Sequence, residues 1–497
     1  MNYSKKYLAF DFGASNGKVA VGLFDGKKLQ LDIIHRFNNN PVVASGTIYW
    51  DILYLFSKVK EGIYAANFKY KSLQSLSVDS WARDFGFLDS NGKLISNPVS
   101  YRDDDKNLDY RASYFEKISI DKFFSITGCN PIYVCVPLFN LFGMKLKNNP
   151  VLKIADKFLI IPDIINYFLS GIAISEYTIA NMTMMLNWRT KSWDKEIINC
   201  LEINKDIFPE IIATGKIIGN LDIKVAKEIG INQIPVVACA SHDTASSIVG
   251  IPATTRDKDW AFIVTGTWCG IGIETEEPFI DPKFLNDSFL NQGAAEGKNL
   301  FIKNFTGFWI LQKCKEKWST NNFKSLSWDS ILEQALKKKS FRAFIDIDDM
   351  QFSKNQQDMP EVIRNYCKTT NQYIPVDIGD IARCIYESIV MKFKYDLKTL
   401  EDIIGKKIEL IYLIGGGIRN KPLCKWTADS TGKVVFAGPA EASLIGNILM
   451  QMKADKEINT IEEGREIFKE SSEIQYFEPE DYKLWDLAFE KYLKIIK

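Results

Sequence analysis

The stretch FDFGASNGKVAVGLFDG, residues 10–26, sets one carboxylate, Asp11, a loop bracketed by Gly13 and Gly17, and Lys18 between two short apolar runs. Glycines let successive backbone N–H groups converge on an anion, and here Ser15 and Asn16 add donors while Lys18 adds charge. From Gly13 to Gly17-Lys18 the spacing is one residue short of GxxxxGK, and Val19 stands where that loop carries serine or threonine. Two readings stay open: a hairpin turn with a surface lysine, or a loop that holds phosphate. Asp11 would repel phosphate directly, yet a carboxylate suits hydrated magnesium, which keeps its waters.

Thr265-Gly266-Thr267 offers the same use with hydroxyls in place of lysine. Gly415-Gly416-Gly417 follows an apolar run. It is either a tight strand-to-helix turn or a place where a flat or charged ligand nears the backbone, and three glycines exceed what one turn requires. Ser241-His242-Asp243 contains the residue types of a triad, but consecutive side chains cannot form its relay. Asp243 is then either the N-cap of a following helix or a general base. Only His35 and His242 are present, so acid/base chemistry must rest on carboxylates and a histidine-ligated metal is not indicated.

These residues sit at the ends of patterned elements. Tyr7–Phe12 and Lys18–Phe24 read as strands around the first glycine loop, with a third strand at Leu29–Phe37. Leu73–Asp79 and Phe85–Leu88 read as strands flanking Ser80–Arg83, while Ile52–Ala66 and Ile161–Leu169 carry helical spacing. Pro235–Ala240 is an apolar strand running into Ser241-His242-Asp243 and a helix of small residues. Ala261–Val264, the turn 265–267 and a strand ending at Glu274 then repeat the opening plan, which suggests two duplicated α/β halves. Ile381–Leu400 reads as an amphipathic helix, and the segment around the triple glycine as strand, turn, helix, strand, helix.

A chain of 497 residues should hold at least two domains. Lys plus Arg equals Asp plus Glu at 62 each, so no net field recruits nucleic acid or an anionic membrane. No apolar run approaches the roughly 18 residues of a membrane span, and a cytoplasmic protein is the expectation. The nine cysteines, among them Cys129, Cys200, Cys269, Cys384 and Cys424, lack CxxC spacing and read as buried thiols.

Taken together, Asp11–Lys18, Ser241–Ser246, Val264–Trp268, Gly415–Asn420 and Glu441–Asn447 resemble the FGGY carbohydrate kinases of the actin and hexokinase superfold. FDFGASNGK, HRFNNN, YWDI, SYRD, IPD, EYTIA, ASHDTAS, GTW, AAEG, IKNFTGFWILQ, ARCIYES, GGGIRN and AGPAEASLIGN make it most similar to the branch of that family acting on L-rhamnulose. The resemblance implies two actin-like (ribonuclease H-like) domains, here divided as 1–244 and 245–497, with the active site in a cleft between them. It implies transfer of the ATP γ-phosphoryl group to C1 of L-rhamnulose, in a monomer or homodimer. By position, Asp243 becomes the base, and Ala14, Ser15, Asn16, Gly17, Lys18, Thr267, Gln312 and Gly416 contact ATP. Ala82, Arg83, His242, Asp243, Thr244 and Asn304 fall to the sugar, and Asp11 to magnesium through water. Phosphoryl transfer asks mainly for positioning and charge neutralisation, so glycine loops, one lysine and one carboxylate suffice.

The chain departs from that branch at the sugar-facing loop, where Thr-Trp-Gly-Val-Asp is replaced by Ser80-Trp81-Ala82-Arg83-Asp84. Ala82 adds a methyl where glycine allowed close approach, and Arg83 brings a charged donor fork. Phe-Asn-Thr or Phe-Asn-Ser is replaced by Cys135-Val136-Pro137, and Asn-Glu-Gly-Gly by Asn291-Gln292-Gly293-Ala294. Another ketose or polyol, such as L-fuculose or L-xylulose, is the alternative within this chemistry. A sugar- and ATP-binding sensor without turnover is the alternative outside it.

Overall fold

The computed structural model describes residues 3–254, 259–286, 288–322, 326–353 and 358–496. The first element is a hairpin: β1 (Lys5–Phe12) pairs antiparallel with β2 (Asn16–Phe24), and Asp11 stands opposite Lys18. A third strand, β3 (Leu29–Asn38), extends it on the far side of β2. The chain then crosses through α1 (Ile52–Tyr70) to β4 (Ser75–Ser80), which lies parallel to β1 with Asp79 beside Asp11. Beyond β4 come β5 (Lys216–Asn220) and β6 (Pro235–Ala238), giving the sheet order β5-β6-β4-β1-β2-β3. Apolar residues on both faces of β1 and β2 explain why the sheet is covered on both sides.

One face is closed by α1, whose Ile52, Leu55, Val59 and Ile63 pack with Leu8, Phe10, Val19 and Val21, and by α2 (Ile161–Ser170), whose Ile161, Ile164, Ile165 and Leu169 join the same cluster. The other takes α7 (Ala442–Ala454), whose Leu444, Ile445, Ile448 and Leu449 pack with Tyr7, Ala9 and Ala20. A Cβ on Gly446 of that helix would sit 1.8 Å from the Ser246 carbonyl oxygen, so only glycine lets α7 approach this closely to α3 (Asp243–Val249). A second apolar cluster gathers Phe85, Phe87, Tyr114, Phe123, Phe139, Phe142 and Phe158 from the long insertion after β4.

The opening plan recurs later in the chain. Strand β7 (Trp260–Thr265) pairs antiparallel with β8 (Trp268–Thr275) and parallel with β10 (Leu410–Gly415), as β1 does with β2 and β4. With β9 (Asn299–Thr306), β11 (Val434–Ala437) and β12 (Gln475–Phe477), the order runs β9-β8-β7-β10-β11-β12. Three helices accompany these strands: α4 (Trp309–Asn322), α5 (Ile378–Ile404) and α6 (Lys421–Thr431).

Contacts divide the chain into two compact units that are not contiguous in sequence. The first comprises Met1–Thr254, Glu274–Phe301 and Glu441–Glu473, and the second comprises Thr255–Ile273, Ile302–Ala440 and Ile474–Lys497. The expected division at residue 244/245 differs from this in one instructive way. Helix α7 returns to the first unit because its apolar and amide side chains pack on that unit's sheet, and the segment 274–301 is tied to the same unit by hydrogen bonds such as that from the Gly293 N–H to Asn181 Oδ1 at 2.7 Å. The described strands and helices otherwise follow the expected ones, with α1 one turn longer and α5 extended at both ends.

Candidate active site

In the first unit the chemistry gathers at the ends of β1, β4 and β6 nearest the loops. Asp11 accepts hydrogen bonds from Ser443 Oγ at 2.7 Å and from Lys18 Nζ at 3.3 Å. Lys18 also meets Glu441 at 2.9 Å, and Arg36 meets the other oxygen of Glu441 at 2.7 Å. Burial works against the Lys18 charge, but Asp11 and Glu441 outweigh it and hold the ammonium above its ordinary value. Lys18 is therefore part of a charge network that a phosphate would have to share.

The loop Gly13–Asn16 is a tight turn, with the Gly13 N–H donating to the Asn16 carbonyl at 2.9 Å. Its other carbonyls are taken from one side. Asn39 donates to Gly13 and Ser15, and Arg102 Nη2 donates to the Ala14 carbonyl at 2.9 Å. Arg102 is a cation at this loop that the sequence reading passed over, although it lies in the SYRD segment.

Asp79 was also missed. It is fully buried, and Asn447 Nδ2 donates to its Oδ2 at 2.7 Å while Oδ1 has no hydrogen-bond partner. Burial, followed by the neighbouring Asp11 carboxylate, pushes its acid well above the usual carboxylate range. Its signal was positional: an aspartate ending an apolar strand, placed beside Asp11 by the parallel register.

Asp243 opens α3, and His242 rather than Asp243 occupies the N-cap position. The Asp243 carboxylate accepts from the Thr244 N–H at 2.6 Å and from the Thr244 hydroxyl at 3.2 Å, so it does not cap the helix end in the expected manner. Burial and then the Asp11 charge push its acid up to about 7, against the Thr244 hydrogen bonds and Lys18, which favour the ionised form. His242 Nε2 lies 3.5 Å from Asp243 Oδ1, and burial followed by the Arg83 charge drives the imidazole down to about 3. It is a neutral ring at physiological pH, and its buried Nδ1 has no partner.

The backbone carrying these two residues is fixed by Glu176. Its Oε2 accepts from the Ser241 N–H at 3.0 Å and from Thr178 Oγ1 at 2.6 Å, and Thr178 Oγ1 in turn accepts from the His242 N–H at 3.2 Å. Ser80 donates its N–H to the Ser241 carbonyl at 2.9 Å, tying this corner to the loop that bears Ala82 and Arg83. That loop is pinned by Asp84, which is fully buried and accepts from Trp50 Nε1 at 2.6 Å, from Trp81 Nε1 at 2.8 Å and from Lys106. Arg83 then lays its guanidinium over the Tyr133 ring at 4.8 Å.

In the second unit Thr267 is exposed, and its carbonyl receives the N–H groups of Gly307 and Trp309. This seats the turn against the start of α4, which carries Gln312. Thr265 donates its hydroxyl to the Ile414 carbonyl at 2.6 Å and accepts from the Gly417 N–H at 3.0 Å. The triple glycine is explained by this packing more than the sequence suggested. Gly415 has φ +87° and a Cβ there would meet the Thr265 carbonyl oxygen at 2.3 Å; one on Gly417 would meet Thr265 Oγ1 at 2.6 Å. Gly416 alone faces open space. Asn304 belongs to this second unit, with its Oδ1 2.8 Å from where a Cβ on Gly270 would stand, whereas the other sugar-assigned residues are in the first.

Among the described residues no group of three or more His, Cys, Asp or Glu is placed to hold a metal directly. The donor set beside Asp11 is nonetheless all oxygen, and the unpartnered Asp79 Oδ1 suits a water of a hydrated cation.

The fold is shared with solved kinases. A gluconate kinase from Lactobacillus acidophilus matches with TM-score 0.78 at 18% identity, covering 99% of this chain and 97% of that one. Plasmodium falciparum glycerol kinase with ADP matches with TM-score 0.75 at 15% identity, covering 99% and 98%. The fold is that of the two-domain sugar and polyol kinases. Residues 6–250 match the N-terminal domain model of the FGGY family of carbohydrate kinases and residues 261–454 its C-terminal domain model, and the chain belongs to that family. It is 33% identical to a rhamnulokinase of Bacteroides thetaiotaomicron over 98% of both chains. A rhamnulokinase of Oceanobacillus iheyensis is 34% identical over 94% of this chain and 97% of its own. The protein is a sugar kinase, with ATP and a sugar as its small-molecule partners.

Proposed function

We propose that this kinase transfers the γ-phosphoryl group of ATP to a ketose, with L-rhamnulose the first candidate and its C1 hydroxyl the acceptor. Asp243 is the general base. Its place at the opening of helix α3, with His242 Nε2 3.5 Å from its carboxylate, is the observation that carries the reading, and its acid, pushed up to about 7, supports it. A base works best when its pKa lies near the working pH, and this one opens a helix beside a neutral histidine and a carboxylate-lysine cluster.

In the reaction the sugar hydroxyl gives its proton to Asp243 while its oxygen bonds to the γ-phosphorus. The bond from that phosphorus to the β–γ bridging oxygen breaks, and ADP leaves with the electron pair. His242, Thr244, Ala82, Arg83 and Asn304 orient the sugar. Ala14, Ser15, Asn16, Gly17 and Lys18 line the phosphate path, while Thr267, Gln312 and Gly416 take the nucleotide. When bound, magnesium offsets phosphate charge, and Asp11 is the carboxylate to hold it through water. Nine cysteines, all unpaired, support a reducing compartment and hence the cytoplasm.

The names of the relatives support L-rhamnulose, and Arg83 in the pinned loop is the reason to test other ketoses beside it. ATP consumption measured over L-rhamnulose, L-fuculose, L-xylulose and polyols identifies the acceptor. Asp243→Asn should lower kcat by a factor on the order of 10²–10⁴ with sugar binding largely retained. Near-normal turnover by that variant removes Asp243 from the base role, and phosphorylation of no member of the panel moves weight to the sensor reading.

A further inference from the structure

The first unit holds a cavity of about 20 Å³ lined by Arg83, whose charge acts on His242, and by Tyr133, Asn130, Asn181, Asn291 and Gln292 among others. A volume of roughly 10–15 Å³ on this measure admits one water-sized group, so the space fits a single hydroxyl. Most of the polar lining is already committed. Asn130 donates to the Phe284 and Leu285 carbonyls, and Asn181 Oδ1 accepts from the Gly293 N–H at 2.7 Å. Asn291 uses its amide on Gly128, Phe279 and Asn299.

Two buried atoms are left over. Arg83 Nη1 is a donor without an acceptor, and Gln292 Oε1 is an acceptor without a donor; Gln292 is 5 % exposed. No carboxylate pairs with Arg83 among the described ion pairs, and its flat face rests on Tyr133. A carboxylate in this cavity would satisfy the arginine but oppose the Gln292 oxygen. A methyl group would satisfy neither. A hydroxyl accepts from one and donates to the other.

We propose that Arg83 and Gln292 hold one hydroxyl of the acceptor sugar, accepting from Arg83 Nη1 and donating to Gln292 Oε1, and so select a ketose hydroxylated at that carbon. The inference rests on the sugar-kinase reading and deepens it by adding Gln292 and the chemistry of the group held. A site built around a substrate hydroxyl rejects the analogue that lacks it, because its own buried polar atoms are then unmet.

The test uses the full chain and two readouts: sugar binding without ATP, followed by tryptophan fluorescence, and turnover with ATP. L-Rhamnulose, L-fuculose and L-xylulose are compared, and the tightest binder is then compared with its singly deoxygenated analogues. In the wild type, loss of one particular hydroxyl should weaken binding by about 30-fold or more. In Arg83→Met that penalty should shrink to within about threefold, while penalties at the other hydroxyls stay as they were. Gln292→Glu keeps the side-chain shape and gives Arg83 a carboxylate, so it should weaken the intact sugar and leave the deoxygenated analogue unaffected. A deoxy penalty that persists unchanged in both variants overturns the proposal and leaves the cavity to a structural water. Failure of every sugar to bind the wild type overturns it too, whereas binding without turnover keeps it and defeats the kinase reading alone.

Discussion

Asp243 is a carboxylate kept close to the point of ionisation by its surroundings, and its pH behaviour follows from that. The base must be ionised, so kcat/KM should fall tenfold per pH unit below about 7 and level off above it. Glu176, raised to about 7 by burial, can steepen the same limb, because protonation removes the acceptor that holds the Ser241 N–H. Asp243→Asn separates the two: any residual rate it shows should keep only the Glu176 dependence. Stability carries the opposite signature. The folded acid titrates near 7 against 3.8 for the free side chain, so the folded state keeps a proton that the unfolded chain has released across that window. Wild-type stability is therefore lost as pH rises from about 4 to 7, and no further loss from this group follows above 7. The difference in Tm between Asp243→Asn and wild type should be near zero at pH 4, grow to pH 7 and then stay level. A constant difference across that range would show that burial and the Asp11 charge do not raise the Asp243 acid.

At the scale of elements, the triple glycine separates packing from binding. Gly415→Ala forces a side chain to φ +87° and against the Thr265 carbonyl, and should cost about 2 kcal/mol or more of stability. Gly416→Ala meets nothing, so Tm should hold while KM for ATP rises several-fold and KM for sugar does not move. An unchanged KM for ATP removes Gly416 from the nucleotide contacts. This contrast was beyond the sequence, which showed three glycines and no Thr265 beside them. The strands themselves were legible, since Tyr7–Phe12 and Lys18–Phe24 are apolar runs broken by a glycine turn, and the hairpin register follows from the short connection. The residues around Asp243 were legible as a motif. What supports them was not: Asp79 reaches Asp11 only through a parallel crossover, and Glu441 reaches Lys18 from the far end of the chain. Arg83 and Gln292 stand alone in their own segments, and only the folded cavity shows that each lacks what the other's ligand supplies.

At the scale of the whole molecule, the chain leaves its first unit, builds most of the second, and returns with α7 to finish the first. A balance of 62 positive and 62 negative residues gives no long-range field, so recognition rests on these assembled pockets. Helix α7 carries more than packing. Ser443 donates to Asp11, Asn447 to Asp79, and Gln451 donates to the Leu8 carbonyl at 3.0 Å while accepting from Ser75 Oγ at 2.7 Å. Four apolar residues of the helix, Leu444, Ile445, Ile448 and Leu449, are essentially fully buried in the same cluster as β1 and β2. At about 1.5–3 kcal/mol each, their burial is comparable to the entire net stability of about 5–15 kcal/mol that an ordinary domain retains. A fragment ending at residue 254 keeps every strand of the first sheet, yet it exposes that apolar face and takes the Asn447 hydrogen bond from the Asp79 carboxyl. It should show no cooperative thermal transition by circular dichroism, and a chain ending at residue 440 should lose its sugar-binding response along with its first-unit transition. Cooperative melting of the 1–254 fragment would show instead that the sheet is stable without α7, and that the helix returns only to set the carboxylates.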